Sequence, residues 1–201
     1  MSFKGAYSSM DRPIYLHLFK IAYSILFLIL MTIYFPPKSY ADQVTQRRIL
    51  AGLDLFPSFL AADRDIENKQ TPDKELLLYI VISGMDEITA QIDGHLRNIR
   101  QVRGIPVRVE IVSNAEFQNY IGPVPAGIFL IQHVPDINNI IQYSRENSIM
   151  IVSPFEGDVE RGVMGGVFIS DRILPLINMN AVKEAGIRLK SFFLRVAKIY
   201  E

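Results

Sequence analysis

Apolar positions along the chain fall into a repeating series. In "VTQRRILAGLDLFPSFLA", residues 44–61, Val44, Ile49, Leu53, Phe56, Phe59 and Leu60 share a helical face. Pro57 is expected to kink or end that helix. The charged, aperiodic stretch 63–75 reads as a surface loop. "LLLYIVIS", 76–83, is apolar without a break and stops before Gly84, as a strand covered on both faces does. Asp86 is placed to cap the helix "EITAQIDGHLRNI". Alternation over 105–113 predicts a second strand, and Asn114 is placed to cap a short helix, "NAEFQNYI". A third strand follows over 126–134, a helix begun by Asp136 over 136–147, and a fourth strand in "SIMIVSP". "VMGGVFIS" and "ILPLI" predict two more strands, with Ser170, Asp171 and Arg172 as the turn between them. A short helix from Met179 to Ala185, stopped by Gly186, and a last helix from Ile187 to Tyr200 complete the series.

Strands alternating with helices predict an α/β fold: a single domain with a mostly parallel sheet and helices on both faces. A turn of three residues is too short for a parallel crossover. The last two strands are therefore expected as an antiparallel C-terminal hairpin at the sheet edge.

The N-terminus breaks the pattern. Lys4, Arg12 and Lys20 precede the apolar run Ile21 to Phe35, and Ser39 and Ala41 follow with small-x-small spacing. This arrangement predicts a signal peptide over 1–41, cleaved after Ala41, and a mature domain over 42–201. An uncleaved membrane anchor is the alternative, although the run is short for a span. Cleavage there would leave an exported domain.

Charge adds little that is specific. The whole chain balances 21 basic against 21 acidic residues. The first 41 residues hold Lys4, Arg12, Lys20 and Lys38 against Asp11 alone, so the remainder is net acidic by three. Nucleic acid is not indicated as a partner. The chain has 0 cysteines, which excludes disulfides, thiol nucleophiles and thiolate metal sites.

Candidate chemistry is sparse. His95 and His133 lie on different predicted elements and outside any ligand motif, which favours a helix-surface and a strand-end histidine. Gly84 stands between a strand and a helix, but one glycine does not make a phosphate cradle. Glu156, Asp158 and Glu160 lack the full pattern of a calcium loop and read as a solvated acidic loop. Arg97, Arg100 and Arg103, spaced by three, read as one helix face, with Arg108 nearby; they form either a partner-binding or a solvated surface. No catalytic constellation emerges and no cofactor is expected, so a binding or regulatory domain is favoured over an enzyme.

The C-terminal stretch carries a resemblance. "GGVFIS" followed by "INMNAVKEAGIRLKSFFLRVAKI" resembles the YfiR/HmsC family of bacterial periplasmic regulators. Gly165 and Gly166 match its glycine pair, and Ile177 and Asn178 its Ile-Asn step. Ala181, Ala185 and Gly186 match its short helix, and Leu194, Ala197 and Lys198 its last helix. The family commonly closes its first helix with Trp-Pro, where this chain has Phe56-Pro57, and places an aromatic-acidic pair where this chain has Pro175 and Leu176. The resemblance implies a periplasmic, non-enzymatic protein, often a homodimer. Such a protein binds the periplasmic sensor region of an inner-membrane diguanylate cyclase and represses it, lowering cyclic-di-GMP signalling and biofilm formation. The signature residues are structural, and no partner-binding residue follows from them. The alternative is a periplasmic small-ligand-binding protein serving a transporter or sensor kinase, since doubly wound sheets bind ligands at strand C-termini.

Overall fold

The structure is a computed structural model that describes residues 19–27, 40–82, 88–117, 122–134 and 136–200. Gly84, Asp86 and most of the apolar N-terminal run, with Ser39, lie outside the described residues. The chain divides into two units, Met1–Asp42 and Gln43–Glu201. Helix α1 occupies residues 19–27, with exposed side chains. Among the described residues no helix is long and apolar enough to cross a membrane.

Helix α2 spans Tyr40–Ala62 and runs through Pro57 rather than ending there. A 3-10 turn, Ile66–Lys69, leads to β1, Leu76–Ile82, whose seven residues are all buried. Then come α3 (Ile88–Asn98), β2 (Gln101–Val102), β3 (Ile105–Ser113), α4 (Asn114–Phe117) and β4 (Gly127–Leu130). They are followed by α5 (Asn138–Glu146), β5 (Met150–Val152), β6 (Gly165–Ile169) and β7 (Ile173–Asn178). The chain closes with α6 (Met179–Glu184), α7 (Ser191–Val196) and β8 (Lys198–Tyr200).

The strands form one sheet in the order β2-β3-β1-β4-β5-β6-β7-β8. Only β2/β3 and β6/β7 are antiparallel. The mixed, mostly parallel α/β sheet is the predicted one, including the antiparallel β6/β7 hairpin. That hairpin does not form the sheet edge, because β8 pairs parallel with β7 outside it. The predicted last helix is correspondingly short. Residues 187–190 are held extended by the end of α2: Arg64 N donates to Arg188 O (2.9 Å) and Lys190 N to Ala62 O (2.9 Å). Lys190 Nζ also donates to Ala61 O (3.0 Å), so the last carbonyls of α2 are capped by the C-terminal segment.

Register sorts the core into two faces. Val109, Leu78, Gly127 and Met150 lie in one row, and Ile111, Ile80, Phe129 and Val152 in the next. Helix α2 packs on this face: the Phe56 ring meets Phe129 at 5.4 Å, and Phe59 meets Phe193 of α7 edge-on at 5.4 Å. On the opposite face the segment 153–164 puts Val159 over Gly166, and Gly162 of that segment packs on Ile141 of α5.

Other sequence expectations shift by local chemistry. Helix α5 starts at Asn138 behind Ile137, so Asp136 does not cap it. Asn114 is the first residue of α4, and residues 118–121 lie outside the described set. Helix α3 ends at Asn98, and Arg103-Gly104 form the two-residue turn between β2 and β3, with φ of 53 and 82. Positive φ at both positions suits the twist of a hairpin. Arg97, Arg100 and Arg103 therefore do not share a helix face.

The junction between the ends carries an exposed ion pair, Arg188 with Asp65 (2.5 Å). The hydrogen bond from Arg188 holds the Asp65 carboxyl below its ordinary value of 3.8. A carboxylate whose pKa is lowered by folding stabilises the fold above its unfolded pKa and loses that contribution as pH falls through the folded one. Arg188→Ala is expected to be slightly less stable than wild type at neutral pH and low salt. The gap should close as the pH drops well below 3.8 and in about 1 M salt. Urea midpoints across that pH and salt range check the sign.

Candidate functional site

The signature residues meet at one junction between β5, β6, β7 and α6. Gly165 pairs with Ile177 and Gly166 with Leu176. Close approach explains both glycines. A Cβ on Gly165 would sit 2.7 Å from the Phe59 ring, and one on Gly166 would sit 2.6 Å from Val159 Cγ2 and 3.3 Å from Ser153 O. Asn178 ends β7 and is 6% exposed. Its Oδ1 accepts from Ala181 N (2.9 Å), capping α6. Its Nδ2 donates to Val159 O (2.7 Å), and its backbone N–H donates to Met164 O (3.0 Å). Ala181 and Ala185 are buried on the inner side of α6, and Gly186 turns the chain at φ 68. Asn180 is exposed on α6. Leu194 is half-buried in α7, Ala197 follows that helix, and Lys198 lies over the Phe168 ring at 5.8 Å.

The bond from Asn178 to Val159 leads to a buried polar knot that sequence reading missed. Asp158 is fully buried, whereas Glu156 and Glu160 are exposed. The solvated acidic loop is therefore corrected at its central residue. Asp158 Oδ2 accepts from Ser153 Oγ (2.6 Å) and its Oδ1 from Arg161 Nη1 (3.3 Å). Its carbonyl accepts from Val163 N (3.0 Å), and Ser153 Oγ accepts from Phe155 N (3.2 Å). The only hint in "EGDVERG" is the apolar Val159 and an arginine three positions after the aspartate.

A cleft of about 280 Å³ opens beside this knot, lined by Arg48, Phe155, Glu156, Val167 and Leu176 among others. Arg48 reaches it from α2. Its Nε donates to Pro154 O (2.8 Å), Nη2 to Val167 O (2.9 Å), and Nη1 pairs with Glu156 (3.0 Å). All three nitrogens are thus spent on holding segment 153–164 against the sheet. The arrangement positions backbone, and the Ser153 hydroxyl that rests on the Asp158 carboxylate is buried with it rather than presented to the cleft. His95 on α3 pairs with Asp54 of α2 (3.0 Å), and exposed His133, beyond β4, meets the Phe155 ring edge-on at 6.0 Å. Among the described residues no three His, Asp or Glu converge as a metal site. Arg108 pairs with Glu75 and Glu110, and Arg103 with Glu67 (2.8 Å).

Two substitutions test the junction. Asn178→Ala removes the cap and one of the two donors to the buried Val159 carbonyl, the other being Gly162 N (3.2 Å), so a loss of about 2 kcal/mol is expected. Asn178→Ser keeps a cap acceptor and should lose about 1 kcal/mol. Equal urea midpoints for the two variants would refute the double role. Gly166→Val must displace Val159, and a loss of about 2–3 kcal/mol is expected, with faster proteolysis within 153–164; an unchanged digestion rate would contradict the close approach.

Residues 65–198 match the family described as YfiR/HmsC-like, a stretch that starts just after α2 and ends in β8. No curated protein is significantly similar to the chain. Among solved structures, the chain is similar to the ABC domain in complex with L-Trp from Streptococcus pneumonia, at 12% identity and a TM-score of 0.47. That alignment covers 70% of this chain and 60% of the other, so the chain spans about 60% of that structure's length. The family match takes in more than half of the chain and every signature residue described above: the chain belongs to the YfiR/HmsC-like family.

Proposed function

We propose that the protein is a periplasmic, non-enzymatic regulator that binds the periplasmic sensor region of an inner-membrane diguanylate cyclase and holds it inactive. The observation that carries this reading is the family match over residues 65–198. The buried polar groups support it, because Asn178, Asp158 and Arg48 are consumed by internal hydrogen bonds that set backbone positions. A domain built in this way acts through its surface. The small-ligand alternative is weaker, since the cleft of about 280 Å³ is lined by an arginine already bonded to two carbonyls and a glutamate.

Export belongs to the same proposal. Residues 1–41 act as a signal peptide cleaved after Ala41, leaving a domain that begins at Asp42, at the start of α2. Mass spectrometry of the protein from a periplasmic extract should give the mass of residues 42–201; the full-length mass in the membrane fraction would indicate an anchor instead. Mild crosslinking in cells followed by purification is expected to capture an inner-membrane diguanylate cyclase, and deletion of the gene is expected to raise cyclic-di-GMP and biofilm. If the protein captures no membrane signalling protein and deletion leaves cyclic-di-GMP unchanged, the reading fails.

A further inference from the structure

The two edges of the sheet are unlike. At one edge β8 is three residues long, with Lys198 folded over Phe168, which limits further pairing. At the other edge β2 covers only the start of β3, pairing Gln101 with Pro106 and Val102 with Ile105. Val107 N then donates outward to Arg100 O (3.0 Å), while β1 stays bonded along the inner side as far as Ser113. Amide direction alternates along a strand. The N–H and C=O groups of Val109 and Ile111 therefore point outward as those of Val107 do, and among the described residues they have no ladder partner.

Beside that edge Val107, Val109 and Ile111 form an apolar groove with Leu96 and Ile99, of about 500 Å³. Ile111 is 47% exposed. Arg97 and Arg100 complete the wall, and among the described residues no acidic one lines it. An open ladder, an alternating apolar row and a basic rim are complementary to an extended chain carrying apolar residues and carboxylates. A second copy fits less well. Antiparallel self-pairing about Val109 would set the copy's Ile111 against Val107, whose N–H Arg100 already occupies, and would add basic rim to basic rim.

We propose that the open edge of β3 binds an extended acidic segment of the partner protein, which adds a strand along Val109 and Ile111, fills the groove with its apolar side chains and sets a carboxylate on Arg100. The inference rests on the regulator reading for the source of that segment, and its chemistry is testable apart from it.

The probe is a labelled synthetic peptide of about eight residues that alternates valine and glutamate, with a valine–lysine peptide as control. By fluorescence anisotropy the acidic peptide is expected to bind, more weakly at high salt, and the basic one not to bind. Amide exchange followed by NMR should show the Val109 and Ile111 amides protected by the acidic peptide alone. Ile111→Pro removes an outward donor while sparing the ladder to β1, and should weaken binding by about tenfold. Arg100→Glu, which leaves the ladder intact, should weaken the acidic peptide and admit the basic one. Equal binding of both peptides, or binding without protection of the two amides, overturns the proposal. So does a wild-type dimer that Ile111→Pro converts to monomer, since a second copy would then hold the edge. If a captured cyclase is retained equally by wild type, Ile111→Pro and Arg100→Glu, this surface is wrong while the regulator reading stands.

Discussion

Everything in this fold depends on how closely α2 lies against the sheet. Its Phe56, Phe59 and Leu60 rest where Gly127 and Gly165 leave the strands bare. A Cβ on Gly127 would stand 2.5 Å from Leu60 Cδ2, and one on Gly165 2.7 Å from the Phe59 ring. The helix contributes its own gap in return, since a Cβ on Gly52 would meet Phe129 at 2.9 Å. Backbone and ring are thus interleaved at the density of a protein interior, where an extra methyl group on any of the three partners forces the layers apart. Arg48 can reach the carbonyls of Pro154 and Val167 because α2 lies close to the sheet, and the end of the helix can meet residues 188–190 for the same reason.

The parts of this structure that were legible in sequence are those in which local chemistry and fold agree. The unbroken apolar run at 76–82 is the buried strand β1 because parallel strands are covered on both faces. Asn178 marks the end of β7 and the start of α6 because a short polar side chain there satisfies a helical N–H. The parts that were not legible depend on partners far away in sequence. "RVAKIY" has a helical pattern, yet Lys198–Tyr200 extend because β7 offers an open ladder. Residues 187–190 share an apolar face with α7 but are drawn out by the carbonyls at the end of α2. Arg103-Gly104 lacks the usual asparagine or aspartate of a two-residue hairpin, so the three arginines looked like a helix row. Asp158 looked solvated because its acidic neighbours are, and Val159 and Arg161 alone do not reveal that Ser153 folds onto it.

The same distinction separates the family signature from the partner surface. Gly165, Gly166, Asn178 and Gly186 are constrained by sub-van-der-Waals gaps, a buried cap and a left-handed turn, each of which admits few residue types. Surface features tolerate many residues, so they leave a faint pattern in sequence. The β3 edge is an instance: its alternation of apolar and charged residues is common to half-covered strands, and only the shortness of β2 makes the edge available.

The bonds of Arg48 join residues 106 and 119 positions apart. Because a chain is made from its N-terminus, α2 is complete long before β6 and the C-terminal segment that cap and cover it have been synthesised. Phe56 and Leu60 meet Gly127 of β4 first, but Phe59, seated on Gly165 and Phe193, must wait for more than half of the chain to follow. Loops of that length close slowly, and exposed apolar helices attract one another in the meantime. The feature that gives the finished domain its tight seat therefore bears on the timing of its assembly: α2 is made early and is among the last elements to be fully covered.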